Sequence, residues 1–168
     1  MEDLCDDTPF FDRFKDPLQY WKGRVETEAW LRAGFIQKGG KPKDEYPLYS
    51  VLGSATWIEK YSLSTGIAVD MLQIPLSIFN ENDISFTFPD SMVSFWIGRD
   101  KPKAFYHPSY HGQVFTLTEI RSIITYELID VDVIESMHPE GTIPYIEAQI
   151  WNHEITRNYY SERISPEM

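Results

Sequence analysis

A capped helix signal in residues 115–128 is the local feature that most constrains the fold of this chain. Thr116 and Glu119 match the Thr-x-x-Glu capping box, in which each side chain satisfies a backbone N–H that the first helical turn leaves unpaired. Phe115 precedes the cap and can pack on Ile120 as a hydrophobic staple. Apolar residues then recur at helical spacing and predict a buried stripe: Leu117, Ile120, Ile123, Ile124 and Leu128.

A second principal helix is predicted near the N-terminus. Asp16 is a typical N-cap residue, and Pro17 suits the first helical position. Gly34 supplies a stop signal, and the polar, basic and glycine-rich run 37–43 that follows is predicted to be a loop. Gly23 weakens the middle, so one helix with a defect and two short helices are both possible. The apolar residues at helical spacing are Leu18, Trp21, Val25 and Ala29.

Strand patterns occupy the middle and the last third of the chain. Segment 83–98 contains two β-rich runs around a Pro-Asp-Ser turn, which predicts a hairpin whose first arm is half-buried. Ile146, Ala148 and Ile150 alternate with polar and aromatic residues and predict a strand with one apolar face. Further strands are predicted at 46–52, 67–79 and 130–136, with a short helix at 54–61.

The order of these elements predicts an α+β fold with a mainly antiparallel sheet packed by two principal helices. With 168 residues and 42% apolar content, the chain can bury a sizeable core as a single globular domain over residues 1–168. No secretory signal or membrane span is recognisable, so we expect a soluble cytoplasmic protein. Cys5 is the only cysteine, which excludes an intramolecular disulfide and a cysteine-based zinc cluster, and no cofactor is predicted.

The acidic residues are unevenly distributed along the chain. The formal net charge is −11, and residues 116–168 hold ten Asp or Glu against three Arg and no Lys, which places −7 in the last third. A field of one sign repels nucleic acid and membrane surfaces and attracts basic partners. We therefore expect a basic protein partner and no direct binding to nucleic acid or membranes.

Acidic and aromatic residues of the last third form the predicted contact surface. Large amphipathic rings beside carboxylates are typical of recognition surfaces, although core aromatics with solubilising acids would have the same composition. Because Ile146 and Ala148 are assigned to the core, Glu147 is expected to point outward. The leading hypothesis is a binding protein of the inhibitor, immunity or adaptor kind, without enzymatic activity. The predicted partner-binding residues are Glu135, Glu140, Tyr145, Glu147, Trp151, Glu154 and Tyr159.

Two alternative functions remain open. His107 and His111 have the four-residue spacing of some zinc sites, which suggests a small hydrolase or a metal-binding enzyme. Pro108 and Gly112 disfavour a helix there, so the two rings would have to converge from a loop, and neither a metal site nor a catalytic residue is assigned. The other alternative is a homo-oligomeric structural module.

Overall fold

Four helices, a short 3₁₀ helix and three strands make up the part of the chain that the computed structural model describes, residues 16–53, 63, 66, 71–100, 106–124 and 145–164. Helices combined with an antiparallel sheet confirm the predicted α+β class. In chain order, the elements are α1 (Pro17–Gln37), β1 (Leu48–Leu52), the 3₁₀ helix (Leu76–Ile78), β2 (Ile84–Thr87), α2 (Ser91–Asp100), α3 (Leu117–Ile123), β3 (Ile146–Ile150) and α4 (His153–Ile164).

The central strand of the sheet is β3, in the order β1-β3-β2, and both pairings are antiparallel. Gln149 of β3 lies opposite Tyr49 of β1 and Ser85 of β2, which defines the register on both sides. The predicted strands at β1 and β3 are confirmed. Phe115 lies on the outer side of β2 and forms an antiparallel bridge with Phe86.

Each face of the sheet is covered by one of the two principal helices. Leu117 and Ile120 of α3 join the apolar residues of β2 and β3 in one core cluster. On the other face, Leu31 and Phe35 of α1 pack with Trp151, whose ring stacks on that of Phe35 with 5.9 Å between centroids. Every residue of β2 and β3 is consequently buried. The prediction that these strands are only half-buried is therefore wrong, because α1 covers their polar face.

The N-terminal helix, α1, starts where predicted, is a single helix, and buries the face opposite to the apolar residues that indicated it. The Asp16 side chain accepts a hydrogen bond from the Gln19 N–H at 3.0 Å, and the helix continues past Gly34 to Gln37. Its buried residues are Gly23, Thr27, Leu31 and Phe35. The apolar residues whose helical spacing indicated this helix are exposed: Leu18, Trp21, Val25 and Ala29. The helix has two apolar faces, and the large residues Leu31 and Phe35 complete the cluster around Trp151.

The second arm of the predicted hairpin is a helix. The Asp90 side chain accepts hydrogen bonds from the backbone N–H groups of Met92 and of the residue after it, both at 3.1 Å. This N-capping contact outweighs the β propensity of the run that follows. The hairpin prediction is wrong beyond β2. Helix α2 then passes so close to the next loop that a Cβ atom on Gly98 would lie 2.5 Å from Gly112 Cα.

The predicted capping box is present at the start of α3. The Thr116 hydroxyl accepts from the Glu119 N–H at 3.3 Å, and the Glu119 carboxylate accepts from the Thr116 N–H at 2.9 Å. Phe115 and Ile120 belong to one core cluster, as expected for a staple. The helix ends at Ile123 and Ile124 is its extended C-cap, so the predicted continuation is wrong at Ile124, and residues 125–128 lie outside the described residues.

A fourth helix, α4, begins shortly after β3 and was not predicted. The Asp44 carboxylate accepts a hydrogen bond from the His153 N–H at 2.7 Å, so the N-terminus of α4 is capped by a residue from another part of the chain. The N–H groups of Lys43 and Asp44 both donate to the Trp151 carbonyl at 3.0 Å. The basic loop after α1 is therefore tied to the junction between β3 and α4.

The remaining predictions concern the segments between these elements. Residues 71–79 contain the 3₁₀ helix and no strand, so the strand prediction for 67–79 is wrong over this described part. The predicted helix at 54–61 and strand at 130–136 lie outside the described residues. Among the described helices, none has the length and apolar character needed to cross a membrane.

Candidate binding surfaces and a buried polar layer

A chain of side-chain hydrogen bonds runs across the face of the sheet that α1 covers. The Trp151 indole N–H donates to the Ser85 hydroxyl at 2.8 Å, and that hydroxyl donates to the Gln149 amide oxygen at 3.0 Å. The Gln149 amide nitrogen donates to the Thr87 hydroxyl at 3.0 Å. All four side chains are fully buried. Because buried polar groups are costly without partners, this chain fixes how β2 and β3 are aligned.

Glu147 lies at the end of this polar layer and is only 6% exposed. Its carboxylate accepts hydrogen bonds from the Ser91 backbone N–H at 2.9 Å and from the Gln149 amide at 3.2 Å. Burial raises the pKa of Glu147, and the negative charge of Asp90 adds to the rise, while the Ser91 hydrogen bonds and the Arg24 charge oppose it. A buried carboxyl with a raised pKa is a candidate proton donor, but its contacts here are all structural.

The polar layer continues onto α1 through an ion pair. Arg24 Nε lies 3.1 Å from Glu28 Oε1, and the Tyr49 hydroxyl donates to the same oxygen at 3.0 Å. The Arg24 guanidinium carbon lies 3.8 Å from the centroid of the Tyr49 ring. Burial raises the pKa of Tyr49, so its hydroxyl stays protonated and acts as a donor. These contacts attach α1 to β1.

Two of the predicted partner-binding residues belong to this interior. Glu147 and Trp151, at 6% and 0% exposure, cannot contact a partner in this fold, and the prediction that Glu147 points outward is wrong. Alternation correctly separated the two faces of β3. It could not show that α1 covers the polar face, because that contact joins residues more than a hundred positions apart.

The other predicted partner-binding residues lie in different places. Glu154 is exposed on the first turn of α4, and Tyr145 is half-buried just before β3. Tyr159 is half-buried, its ring faces the Arg163 guanidinium at 4.6 Å, and its hydroxyl is enclosed with no hydrogen-bond partner among the described residues. The neighbouring Tyr160 presents more of its ring, at 52% exposure. Glu135 and Glu140 lie outside the described residues.

The acidic surplus is small within the described part of the chain. That part holds thirteen Asp or Glu against ten Lys or Arg, whereas the rest holds thirteen against five. Several of the described cations are engaged within the fold. Lys38 Nζ lies 2.8 Å from Glu119 Oε1, and Arg99 lies 3.7 Å from Glu26 and 3.6 Å from the Trp96 ring centroid. Lys38 and Arg99 are therefore not available to neutralise the excess of carboxylates in the rest of the chain.

The two histidines of the alternative metal hypothesis are joined within one loop. The His107 backbone N–H donates to Nδ1 of His111 at 2.9 Å, so this nitrogen acts as an acceptor. The His107 ring stacks on Tyr110 at 4.5 Å between centroids, and His111 lies buried beside Phe88 and Tyr106. In the described ranges, no group of three or more His, Cys, Asp or Glu could hold a metal ion.

The outer face of α1 is a further surface feature, defined by the exposed apolar residues Leu18, Trp21, Val25 and Ile36. Their exposed fractions are 75%, 64%, 46% and 50%. The sequence signal for this face was present, because three of the four residues belong to the set whose helical spacing predicted α1. Large apolar residues grouped on one exposed helix face mark an interaction surface.

Comparisons with known proteins assign no family. No protein-family model matches this chain, and no curated protein or solved structure matches it significantly.

Proposed function

We propose that this protein is a non-enzymatic binding protein, of the inhibitor or adaptor kind, that engages a basic protein partner. The observation that carries the proposal is the acidic surplus: a net charge of −11, of which the described residues account for only −3. Such a charge attracts cationic surfaces and accelerates their association. The same field opposes binding to nucleic acid or anionic lipid.

Helix α4 provides the described part of the contact surface. Glu154 and Tyr160 are exposed on it, so they offer a carboxylate for Lys or Arg and an aromatic ring for packing. The helix is positioned by the Asp44 cap and by Trp151 in the core. Trp151 thus holds α4 in position from the core and does not contact the partner. Glu135, Glu140, Tyr145 and Tyr159 remain predicted contributors.

A salt series with charge-reversal variants tests this proposal. The immobilised full chain is exposed to native lysate at low ionic strength, the retained protein is identified, and its affinity is measured at increasing salt. We expect affinity to fall steeply with salt, because opposite charges attract across the interface. Retention that does not change with salt would contradict the proposal.

The place of the contact is tested by two variants with the same change in charge. Glu154→Lys and Glu81→Lys each replace one exposed carboxylate, and each changes the net charge by the same amount. We expect Glu154→Lys to weaken binding several-fold more than Glu81→Lys, because only the former lies on α4. Equal losses would show that total charge alone matters and that α4 is not the contact.

A further inference from the structure

The exposed apolar residues of α1 form one stripe along the helix. At 3.6 residues per turn, Leu18 and Ile36 share one direction around the helix axis, and Val25 and Ala29 lie about 20° to either side of it. Trp21 widens the stripe on the Val25 side, about 60° from Leu18. Thr27, at the centre of the buried face, lies on the opposite side. The stripe extends over about 27 Å, given 1.5 Å per residue. This outer face is therefore long enough to pack against another helix.

The sizes of these residues make the outer face complementary to itself. Large side chains, Leu18 and Ile36, stand at its two ends, and the smaller Val25 and Ala29 stand near its middle. When two copies of α1 run antiparallel with their centres at residue 27, Leu18 meets Ile36 and Val25 meets Ala29 of the other copy. A two-fold axis repeats each contact, as in isologous dimers.

We propose that the outer face of α1 is the contact between two copies of this chain, paired as antiparallel helices. This surface is distinct from the α4 surface of the proposed function. Arg32 lies between Trp21 and Val25 around the helix axis, but it is half-buried and its guanidinium donates to the Asp44 carbonyl at 2.7 Å, so its charge is engaged within the fold. Lys22 borders the other side of the face, and a lysine stem can pack while its charge remains in water.

The exposed area of this face implies a weak and reversible dimer. Taking about 200 Å² for each large side chain, the exposed fractions of Leu18, Trp21, Val25 and Ile36 amount to roughly 450 Å² per copy. A standard interface buries about 800 Å² per partner. The dimer should consequently form only at high protein concentration. Because both copies are acidic, association should become stronger as salt screens their repulsion.

Sedimentation equilibrium of the full chain, at concentrations up to about 1 mM and at low and high salt, tests the association. We expect the average mass to rise from 19.7 kDa toward twice that value, and to do so more readily at high salt. A chain that stays monomeric at all concentrations would overturn the proposal. The outer face would then be a binding site for an apolar segment of another protein. The dependence on salt is opposite to that expected for a basic partner, so each proposal can fail without the other.

Two variants of α1 locate the contact. Ala29→Glu introduces a carboxylate near the centre of the face, and Gln19→Glu introduces the same charge about 80° away from Ala29 around the same helix. Both positions are exposed, so neither change should disturb the fold. We expect Ala29→Glu to weaken dimerisation at least tenfold and Gln19→Glu to leave it nearly unchanged. Equal effects of the two variants would overturn the assignment of the face.

Cysteine cross-linking decides the direction of the helix pair. In a Cys5→Ser background, the variants Leu18→Cys and Ile36→Cys are oxidised separately and as a mixture. The antiparallel pair predicts a cross-linked dimer from the mixture and little from either variant alone, because identical ends lie about 27 Å apart. Efficient cross-linking of each variant with itself would indicate parallel helices and would contradict the proposed arrangement.

Discussion

Two glycine-to-alanine substitutions in helices should change stability in opposite directions. Alanine is favoured over glycine in a helix interior by about 1 kcal/mol, so both Gly23→Ala in α1 and Gly98→Ala in α2 begin with the same gain. The difference between them lies in what the new methyl group meets. At Gly23 it would lie 3.4 Å from Met92 Cε and 3.6 Å from Trp96 Cζ2, which are ordinary contacts. We expect this variant to be more stable by about 0.5–1 kcal/mol.

At Gly98 the new methyl group would lie 2.5 Å from Gly112 Cα and 3.2 Å from Gly112 N. Carbon atoms pack at about 3.5–4.0 Å, so the two backbones would have to separate by roughly 1 Å. Gly112 resists this movement because its N–H donates to the Ser94 hydroxyl at 3.1 Å. Overpacking of this kind costs about 1–3 kcal/mol, and the upper value applies where only backbone can move. After the gain in helix propensity, we expect a net loss of about 2 kcal/mol.

Urea unfolding followed by tryptophan fluorescence measures both effects on one scale. The expected separation between the two variants is about 3 kcal/mol, or roughly 6–12 °C in Tm for a chain of this size. Gly23→Ala is the matched control, since it makes the same chemical change in another helix. If Gly98→Ala is as stable as Gly23→Ala, then α2 and the loop at Gly112 are not in backbone contact.

Three further variants test the polar contacts. The raised pKa of Glu147 means that its contribution to folding is fully present below its ordinary pKa of 4.5 and is lost as pH rises through the folded-state pKa. Glu147→Gln should therefore gain stability relative to the parent chain as pH rises from 4 to 8 in urea titrations, and a constant difference would contradict the burial effect. Thr116→Ala should cost about 1 kcal/mol by removing the acceptor for the Glu119 N–H, whereas an unchanged urea midpoint would mean that the capping box is not formed in solution. Asp44→Ala should cost about 1–2 kcal/mol and reduce helical circular dichroism, because the His153 N–H loses its charged acceptor, and full retention of helicity would argue against that cap.

The elements that sequence analysis located correctly are those with short-range causes. The Asp16 cap of α1, the capping box of α3 and the alternation in β3 each depend on residues within a few positions of one another. The start of α2 was also readable, since Asp90 is a good N-cap, but the β-prone residues after it were given more weight. In that case the local signal was present and the competing propensity was overvalued.

The candidate site was predicted less well than the fold. Glu154 is one of the acidic and aromatic residues predicted to bind the partner, and it is exposed on α4. Glu147 and Trp151, from the same predicted set, are buried, because Ser91 and Ser85 supply hydrogen-bond partners to them from other segments. Composition indicates which residues are suited to an interface, but it does not show which of them the core uses.

By itself, the amino-acid sequence determined where α1, α3 and β3 form, because capping and periodicity operate over one or two turns or a few alternating residues. Only the tertiary structure decided which face of each element is covered. Helix α1 has two apolar faces of similar sequence character, and the choice between them depends on Trp151, Val114 and Tyr49, which come from distant parts of the chain. Packing that joins remote segments therefore determined that Glu147 is buried and that Leu18 and Trp21 face solvent.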